Sequence, residues 1–431
     1  MTEELTAADL IAARPALSRH ALDGLLLDGV PLAAIAAQFG TPAYVMGADT
    51  LAARGCQMLA AMPGVAVHYA VKANDHLAVL SVLAGLGFGA DVVSGGEFLR
   101  AIAGGFPPGK IVFSGVGKTA DELALALRLG CGQINVESAE ELALLSTLAV
   151  TAGVVAPVVL RVNPDVDAGT HDKISTGRAG DKFGVPYDTV ADLYARGSAM
   201  PGLSMRGLAV HIGSQIFAAL PFTSAYRRLA GLVRDIRAAG HTVEIVDCGG
   251  GLGVPYGAEA EMLPAAWYGA MQAALGDLGV QLAVEPGRWC VAPCAVLLTR
   301  VIRTRREAMV RPIMVLDAAM NDFLRPAMYG AYHGIVAVAA VDLVAPVQTC
   351  DIVGPVCESA DIFARARAMP DVADGGLVAI LDVGAYGAVM ASGYNARPMA
   401  AQIMVRGGVA HLVRGRPEIT SLWQNDVILP A

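Results

Sequence analysis

Several residues far apart in the chain carry side chains whose chemistry would be complementary if the fold brought them together. Lys72 closes a mostly apolar run, Val65 to Val71, within His68-Tyr69-Ala70-Val71-Lys72-Ala73-Asn74. An amine at the end of a buried strand can be held neutral by desolvation and attack a carbonyl as a Schiff-base lysine. Taken alone, a lysine there more often snorkels its head to solvent. Cys248-Gly249-Gly250-Gly251-Leu252-Gly253 sets three glycines in a row. Successive glycines let backbone N–H groups approach an anion closely, although the same run suits a tight turn or bulge. Glu285-Pro286-Gly287-Arg288 offers a carboxylate and a guanidinium, which either pair with each other or face a ligand. His211-Ile212-Gly213-Ser214-Gln215 adds an imidazole and a hydroxyl, and Gly384-Ala385-Tyr386-Gly387 holds a tyrosine between glycines.

Together these groups describe a pocket for pyridoxal phosphate (PLP). That cofactor needs a lysine for its aldehyde, donors for its phosphate and an acid at its pyridine nitrogen, which makes the ring an electron sink. In such a pocket His211 would stack on the ring, and the Tyr386 hydroxyl would bind a phosphate or a carboxylate. Two look-alike motifs fail. The GxGxxG pattern has Val254 where its last glycine belongs, and Gly117-Lys118-Thr119 has Val112 where a P-loop needs its first glycine. Cys290 and Cys294 stand four apart without a companion His or Cys group, so no metal site is expected.

The elements that must position these residues follow from a repeat of apolar runs and Ala/Leu-rich helical stretches. The runs end near Lys72, Ser94, Ser114, Glu137, Asn163, His211, Asp247 and Glu285. Alternating strands and helices imply parallel βαβ units. Eight of them match a (β/α)₈ barrel, whose active sites lie at the C-terminal strand ends and whose phosphate sites often follow strands seven and eight. A doubly wound open sheet has the same periodicity. Ser138-x-x-Glu141 fits a capping box. The stretch from Asn163 to His211 is about twice the usual repeat, so its His171–Gly177 and Asp181–Gly184 segments are lid or substrate-loop candidates.

After Glu285 the runs Val310–Leu316, Ile335–Leu343, Gln348–Val353, Gly376–Val383 and Ala401–Val405 predict an antiparallel β domain. A short strand at Leu25–Leu27 and an extended run from Thr41 to Met46, flanking a helix over Pro31–Phe39, are expected to join it. The fold class expected is thus α/β, a (β/α)₈ barrel over residues 46–290 with a mostly antiparallel β domain from 1–45 plus 291–431.

The 431 residues are 55% apolar and 16% charged, with a net charge of −8. This argues for a large core and against a nucleic-acid or membrane-surface role. The basic cluster from Arg300 to Arg306 reads as a solvated face. Seven scattered cysteines read as reduced thiols in a cytoplasmic protein. The uncharged stretch Leu142–Leu160 is long enough to consider as a membrane span, but Gly153 and Pro157 divide it into a helix end and a strand.

Beyond these local readings, the chain resembles the diaminopimelate decarboxylases, PLP enzymes of alanine-racemase-like fold. The resemblance runs through Tyr69–Asn74, Ile174–Gly177, His211–Ile216, Gly249–Gly253, Glu285–Arg288, Arg325–His333, Gly354–Ser359, Gly384–Gly387 and Tyr394–Pro398, in order along nearly the whole chain. It implies decarboxylation of meso-2,6-diaminopimelate to L-lysine and CO₂, the last step of lysine biosynthesis. It also implies that Lys72 holds PLP, His211 stacks on it and Glu285 meets the pyridine nitrogen. Ser214, Gly249, Gly250, Gly251, Pro286, Gly287 and Arg288 would lie about the phosphate. Arg288, Arg325, Tyr329 and Glu358 would bind the distal amino-acid end, and Tyr386 would touch substrate and cofactor. Cys357 would donate the proton, and a homodimer would share its active sites through Cys357 and Glu358. Rival readings stand beside this one, among them a racemase, which needs a base on each face of the substrate where only Cys357 is an evident second group. An ornithine, arginine or lysine decarboxylase would leave Arg325 beside Tyr329 without a carboxylate to bind. A PLP-carrying binding protein would not need Cys357.

Overall fold

A computed structural model describes residues 5–167, 177, 180–307, 310–340 and 347–430. The chain forms two compact units, one of Ala52–Val254 with Ala260–Cys290, the other of Met1–Leu51, Pro255–Glu259 and Val291–Ala431.

The first unit is the expected barrel. Its strands are β1 Ala66–Ala70, β2 Gly89–Val92, β3 Ile111–Phe113, β4 Gln133–Val136, β5 Ala156–Asn163, β6 Leu203–Val210, β7 Ile245–Asp247 and β8 Gln281–Val284. All neighbours pair in parallel, and β8 closes onto β1 through Ala283↔Ala66 and Val284↔Val67. Closure excludes the open-sheet alternative. Each strand stops at or just before the polar or glycine residue read from the sequence, so those residues share the C-terminal rim.

Capping explains several of the crossing helices. Thr119 opens the helix Ala120–Leu129 with a full capping box: its hydroxyl accepts from Glu122 N, and the Glu122 carboxylate accepts from Thr119 N. The box expected at Ser138 forms only in part. Ser138 Oγ accepts from Glu141 N at 3.1 Å, but the Glu141 carboxylate turns to Glu137 N at 2.9 Å, one residue upstream. The P-loop look-alike also has a structural role. Lys118 is buried and its Nζ donates to Asn135 O at 2.8 Å and pairs with Glu141 at 2.7 Å, tying the ends of β3 and β4 together. The uncharged stretch divides as expected into the helix Ala139–Ala152, ended by Gly153 at φ 67, and β5. Among the described residues, no helix is long and apolar enough to cross a membrane.

The second unit is built on a mostly antiparallel sheet. Its longest strand, Ala295–Arg305, pairs antiparallel with Ala43–Gly47, Ile313–Leu316 and Leu377–Leu381. No strand was expected there, because Arg300 to Arg306 reads as a charged surface stretch. The strand reconciles the two: it is buried from Ala295 to Thr299, and a bulge between Val301 and Arg303 leaves Val301 and Thr304 buried while Arg303 and Arg305 are exposed. Val347–Val353, Ile362–Pro370, Ala401–Arg406 and Val409–Arg414 complete most of the sheet. Two pairings are parallel, Ala401–Arg406 with Ala43–Gly47 and Ile313–Leu316 with Val347–Val353.

Both N-terminal segments belong to the second unit, but to different sheets. Ala43–Gly47 enters the large sheet, but Gly24–Leu27 pairs instead with Leu17–His20 and Val30–Pro31 in a separate three-stranded sheet. The reason is the turn at Asp28-Gly29, where both residues have positive φ and fold the chain back on itself. Leu25, Leu27, Leu32 and Ile35 then pack with Val45, Val296, Leu298, Leu381 and Ile403 in one core. The predicted run Ile335–Leu343 forms a strand only over Ile335–Ala337. Its end, 341–343, lies outside the described residues, as does most of the expected loop segment His171–Gly177.

Candidate active site

The barrel rim brings together four of the sequence-predicted groups. β1 ends at Ala70, whose N–H donates to Pro286 O at 3.0 Å, and the next turn, Val71–Ala73, carries Lys72. The Lys72 amine donates to Asp91 Oδ2 at 2.8 Å. Asp91 belongs to β2 and is fully buried, whereas a third of the Lys72 side chain is exposed. The lysine therefore has a solvent-accessible side and a buried counter-ion. Asp91 Oδ1 is buried with no hydrogen-bond partner among the described residues.

β8 delivers Glu285, and its N–H donates to Gly249 O at 2.7 Å. Glu285 Oε1 accepts from Asn135 Nδ2 at 3.3 Å. Asn135 also donates to Ser114 Oγ at 3.0 Å and accepts from Gln133 Nε2, which in turn donates to Asp247 Oδ2 at 3.0 Å. Asp247 and Glu285 are thus linked through Gln133 and Asn135, two buried carboxyls on neighbouring strands. Burial pushes both carboxyls up, Glu285 well above the usual carboxylate range. Their mutual repulsion and Asp91 add to the rise at Glu285, and Lys72 and Arg161 oppose it. Burial therefore biases this acid toward its protonated form.

His211 follows β6. Gly250 N donates to its Nδ1 at 3.1 Å, which leaves Nε2 as the protonated nitrogen of the neutral ring. Burial holds its pKa well below the ordinary histidine value, and Arg161 and Lys72 push in the same direction. A neutral imidazole suits an apolar stacking role. Ser214 Oγ accepts from Arg288 Nη2 at 3.1 Å and Nε at 3.3 Å, so a hydroxyl and a buried guanidinium stand side by side.

The glycine loop has a purely steric requirement as well. A Cβ on Gly249 would lie 2.1 Å from Val210 O, one on Gly250 2.3 Å from Glu285 O, and one on Gly251 2.6 Å from Gly213 O. These glycines are needed so that the ends of β6, β7 and β8 can approach each other. Asp247 Oδ1 accepts from Gly249 N at 3.0 Å and fixes the start of the turn. Gly287 packs likewise, its Cβ position 3.0 Å from Ala70 Cβ.

The remaining sequence-predicted residues lie in the second unit. Arg325 is buried at the start of the helix Arg325–Tyr329, and its guanidinium lies 5.1 Å from the ring centre of Tyr256 and 5.8 Å from that of Tyr329. Cys357 and Glu358 are both exposed. Their turn is held by Asp361, which accepts from Val356 N at 2.8 Å and Met320 N at 2.7 Å. Glu358 lines a cavity of about 280 Å³ with Met320, Leu324 and Met390 as apolar walls and Asn321 and Tyr394 as polar ones. Tyr386 sits in the left-handed region at φ 54, in a turn anchored by the buried ion pair of Asp382 with Arg14.

Asp91, Asn135, Gln133 and Asp247 were not predicted. Asp91 left one signal, a lone acid inside the apolar run Gly89–Val93. The others look like ordinary polar punctuation of short strands.

The residues present fit PLP. They offer an amine on Lys72, a buried protonatable carboxyl on Glu285, and the Ser214 hydroxyl and Arg288 guanidinium as donors beside a glycine-lined turn. Comparison with known proteins points the same way. Residues 48–292 match the family described as pyridoxal-dependent decarboxylase, pyridoxal binding domain. The diaminopimelate decarboxylase of Zymomonas mobilis is 44% identical over 409 residues, 93% of this chain and 96% of its own. The crystal structure of diaminopimelate decarboxylase from Helicobacter pylori complexed with L-lysine superposes with a TM-score of 0.88 at 36% identity, covering 92% of this chain and 99% of that one. The diaminopimelate decarboxylase of M. jannaschii in complex with L-lysine gives a TM-score of 0.92 at 34% identity, covering 97% and 99%.

Proposed function

The chain belongs to the diaminopimelate decarboxylase family, within the pyridoxal-dependent decarboxylases, and from that premise we propose which of its residues perform the reaction. It is a PLP-dependent carboxy-lyase that converts meso-2,6-diaminopimelate to L-lysine and CO₂, the lysine-forming step of amino-acid biosynthesis. The observation that carries this reading is full-length similarity combined with a barrel rim where Lys72, a buried acid pair and the Ser214–Arg288 donors meet.

PLP supplies the aldehyde carbon that captures the substrate amine and the ring that takes up the electron pair left when the C–CO₂ bond breaks. Lys72 would hold the cofactor through its amine. Asp91, 2.8 Å from Nζ, stabilises that amine whenever it is a free ammonium. Glu285 would meet the pyridine nitrogen and keep a proton there. Burial and the neighbouring Asp247 and Asp91 favour its protonated form, and Lys72 and Arg161 oppose them. His211, neutral, would stack on the ring. Ser214, Arg288, Gly287, Pro286 and the backbone of Gly249–Gly251 surround the phosphate.

Arg288, Arg325 and Tyr329 bind the retained carboxylate and Glu358 the distal ammonium, with Tyr386 contacting both substrate and cofactor. Guanidinium–carboxylate pairing is directional and bidentate, which suits a substrate with an amino-acid group at each end. Cys357 delivers the proton that replaces the lost carboxylate, so one substrate and one proton give lysine and CO₂. Cys357 and Glu358 are exposed on their turn. This supports a homodimer in which each copy completes the other's site. Seven free cysteines support a reducing, cytoplasmic location.

The decisive experiment measures CO₂ release from meso-diaminopimelate, lysine and ornithine with the PLP-loaded protein. Release from meso-diaminopimelate should be far faster. Comparable rates for the three would overturn the substrate assignment in favour of a decarboxylase of simpler basic amino acids.

A further inference from the structure

We propose that His333 is the positioning residue that aims Arg325 at the substrate's retained carboxylate; the proposal rests on the reading of Arg325 as a substrate-binding residue. Arg325 Nε donates to His333 Nε2 at 3.2 Å. Two groups that both bear protons readily are thereby placed in direct contact. Such a contact is stable only if that imidazole nitrogen is a permanent acceptor.

The structure makes it one. His333 Nδ1 lies 2.8 Å from Leu381 O, and a carbonyl oxygen only accepts, so Nδ1 carries the proton and Nε2 keeps its lone pair. The ring is 1% exposed. It is wedged between Tyr256 and Phe323, with ring centres at 4.6 and 4.7 Å. The main chain on either side is pinned too: Arg367 Nη1 donates to His333 O at 3.0 Å, and Leu381 N donates to Gly334 O at 2.9 Å. The imidazole can neither rotate nor exchange tautomers without breaking a buried hydrogen bond.

Tying Nε stops rotation about the end of the arginine side chain and so sets the direction of the fork formed by the two terminal nitrogens. That fork is what recognises a carboxylate through paired bonds. Leu381 is the last residue of its strand and immediately precedes the Asp382–Gly387 turn that carries Tyr386. One carbonyl thus references the arginine to the turn that bears the tyrosine.

The test uses PLP-loaded protein, with KM and kcat for meso-diaminopimelate and competitive inhibition by L-lysine, which keeps the carboxylate, and by 1,5-diaminopentane, which lacks it. His333→Leu should raise KM and the lysine inhibition constant about tenfold, the scale of one orienting hydrogen bond. It should leave kcat and diaminopentane inhibition near wild type. His333→Gln, whose amide offers an acceptor and a donor side by side, should restore lysine affinity to within about threefold. On an Arg325→Ala background His333→Leu should have no further effect on lysine.

A His333→Leu effect that falls equally on lysine and diaminopentane, or that persists without Arg325, overturns the proposal and makes His333 a packing residue. If Arg325→Ala discriminates between the two inhibitors while His333→Leu is silent, the positioning role alone fails. If Arg325→Ala treats both inhibitors alike, the reading of Arg325 fails and the proposal with it. Should His333→Leu not fold, as judged by circular dichroism, a tenfold loss of lysine affinity in folded His333→Gln overturns the proposal.

Discussion

Replacing Gly249 by alanine separates two reasons for a glycine at this position. The residue has φ 67, a left-handed conformation that costs a non-glycine residue about 1–2 kcal/mol. The new Cβ would also lie 2.1 Å from Val210 O, more than 1 Å inside ordinary contact. Val210 ends β6 and cannot yield without moving His211, so the overlap adds about 1–3 kcal/mol. The combined loss is about 2–5 kcal/mol, or a fall in melting temperature of roughly 5–15 °C for a unit of this size. Gly64→Ala is the matched control, because Gly64 has φ 75 but nothing within 4 Å of its Cβ position; it should lose only the conformational part. Thermal unfolding of both variants without cofactor measures the difference. Titration with PLP measures the second consequence, a rise of about tenfold or more in the cofactor's dissociation constant, equivalent to the loss of about one hydrogen bond. If Gly249→Ala melts no lower than Gly64→Ala, the steric argument is wrong. If it melts lower but binds PLP as wild type does, the turn serves the barrel and not the phosphate.

Three further outcomes are expected. Lys72→Ala should lose the visible absorbance of lysine-bound PLP, and a band that survives dialysis would remove Lys72 from its role. Mixing Lys72→Ala with Cys357→Ala subunits should restore activity through hybrid sites, and no recovery despite verified subunit exchange would count against a shared site. Burial raises the Glu97 carboxyl from 4.5 to about 7. The fold therefore penalises its ionised form: stability is unaffected below pH 4.5 and is lost as pH climbs toward 7. Glu97→Gln should accordingly stabilise the protein by up to about 3 kcal/mol at pH 8 and by nothing at pH 4; equal denaturation midpoints for the two proteins at pH 8 would contradict this.

Much of the site was legible because its groups are local motifs at strand ends. Lys72, Gly249–Gly251, Glu285 and His211 each stand where an apolar run stops, and a parallel barrel brings such stops to one rim. The residues that set the site's protonation were not legible. Gln133 meets Asp247 114 positions later, and Asn135 meets Glu285 150 positions later. Inside its own strand each looks like an isolated polar residue. Ala295–Arg305 escaped for a different reason. Its arginines straddle a bulge that breaks the two-residue alternation, so no strand pattern shows in the sequence there. The failed half of the Ser138 capping box is similar: Glu141 was correctly placed to cap, but Glu137 N and buried Lys118 compete for its carboxylate.

What the sequence determined by itself is therefore the periodic part of the protein: the count and direction of the barrel strands, the stops that carry the chemical groups, and the resemblance that assigns them roles. These depend on hydrophobic spacing and turn chemistry, which act between near neighbours in the chain. The tertiary structure decided the states of those groups. It made Asp91 the counter-ion of Lys72, raised the Glu285 carboxyl by burying it near Asp247, kept His211 neutral, and locked His333 into the tautomer that faces Arg325. Charge, proton position and hydrogen-bond direction are set by desolvation and by neighbours through space, and those neighbours come from strands that the sequence keeps far apart.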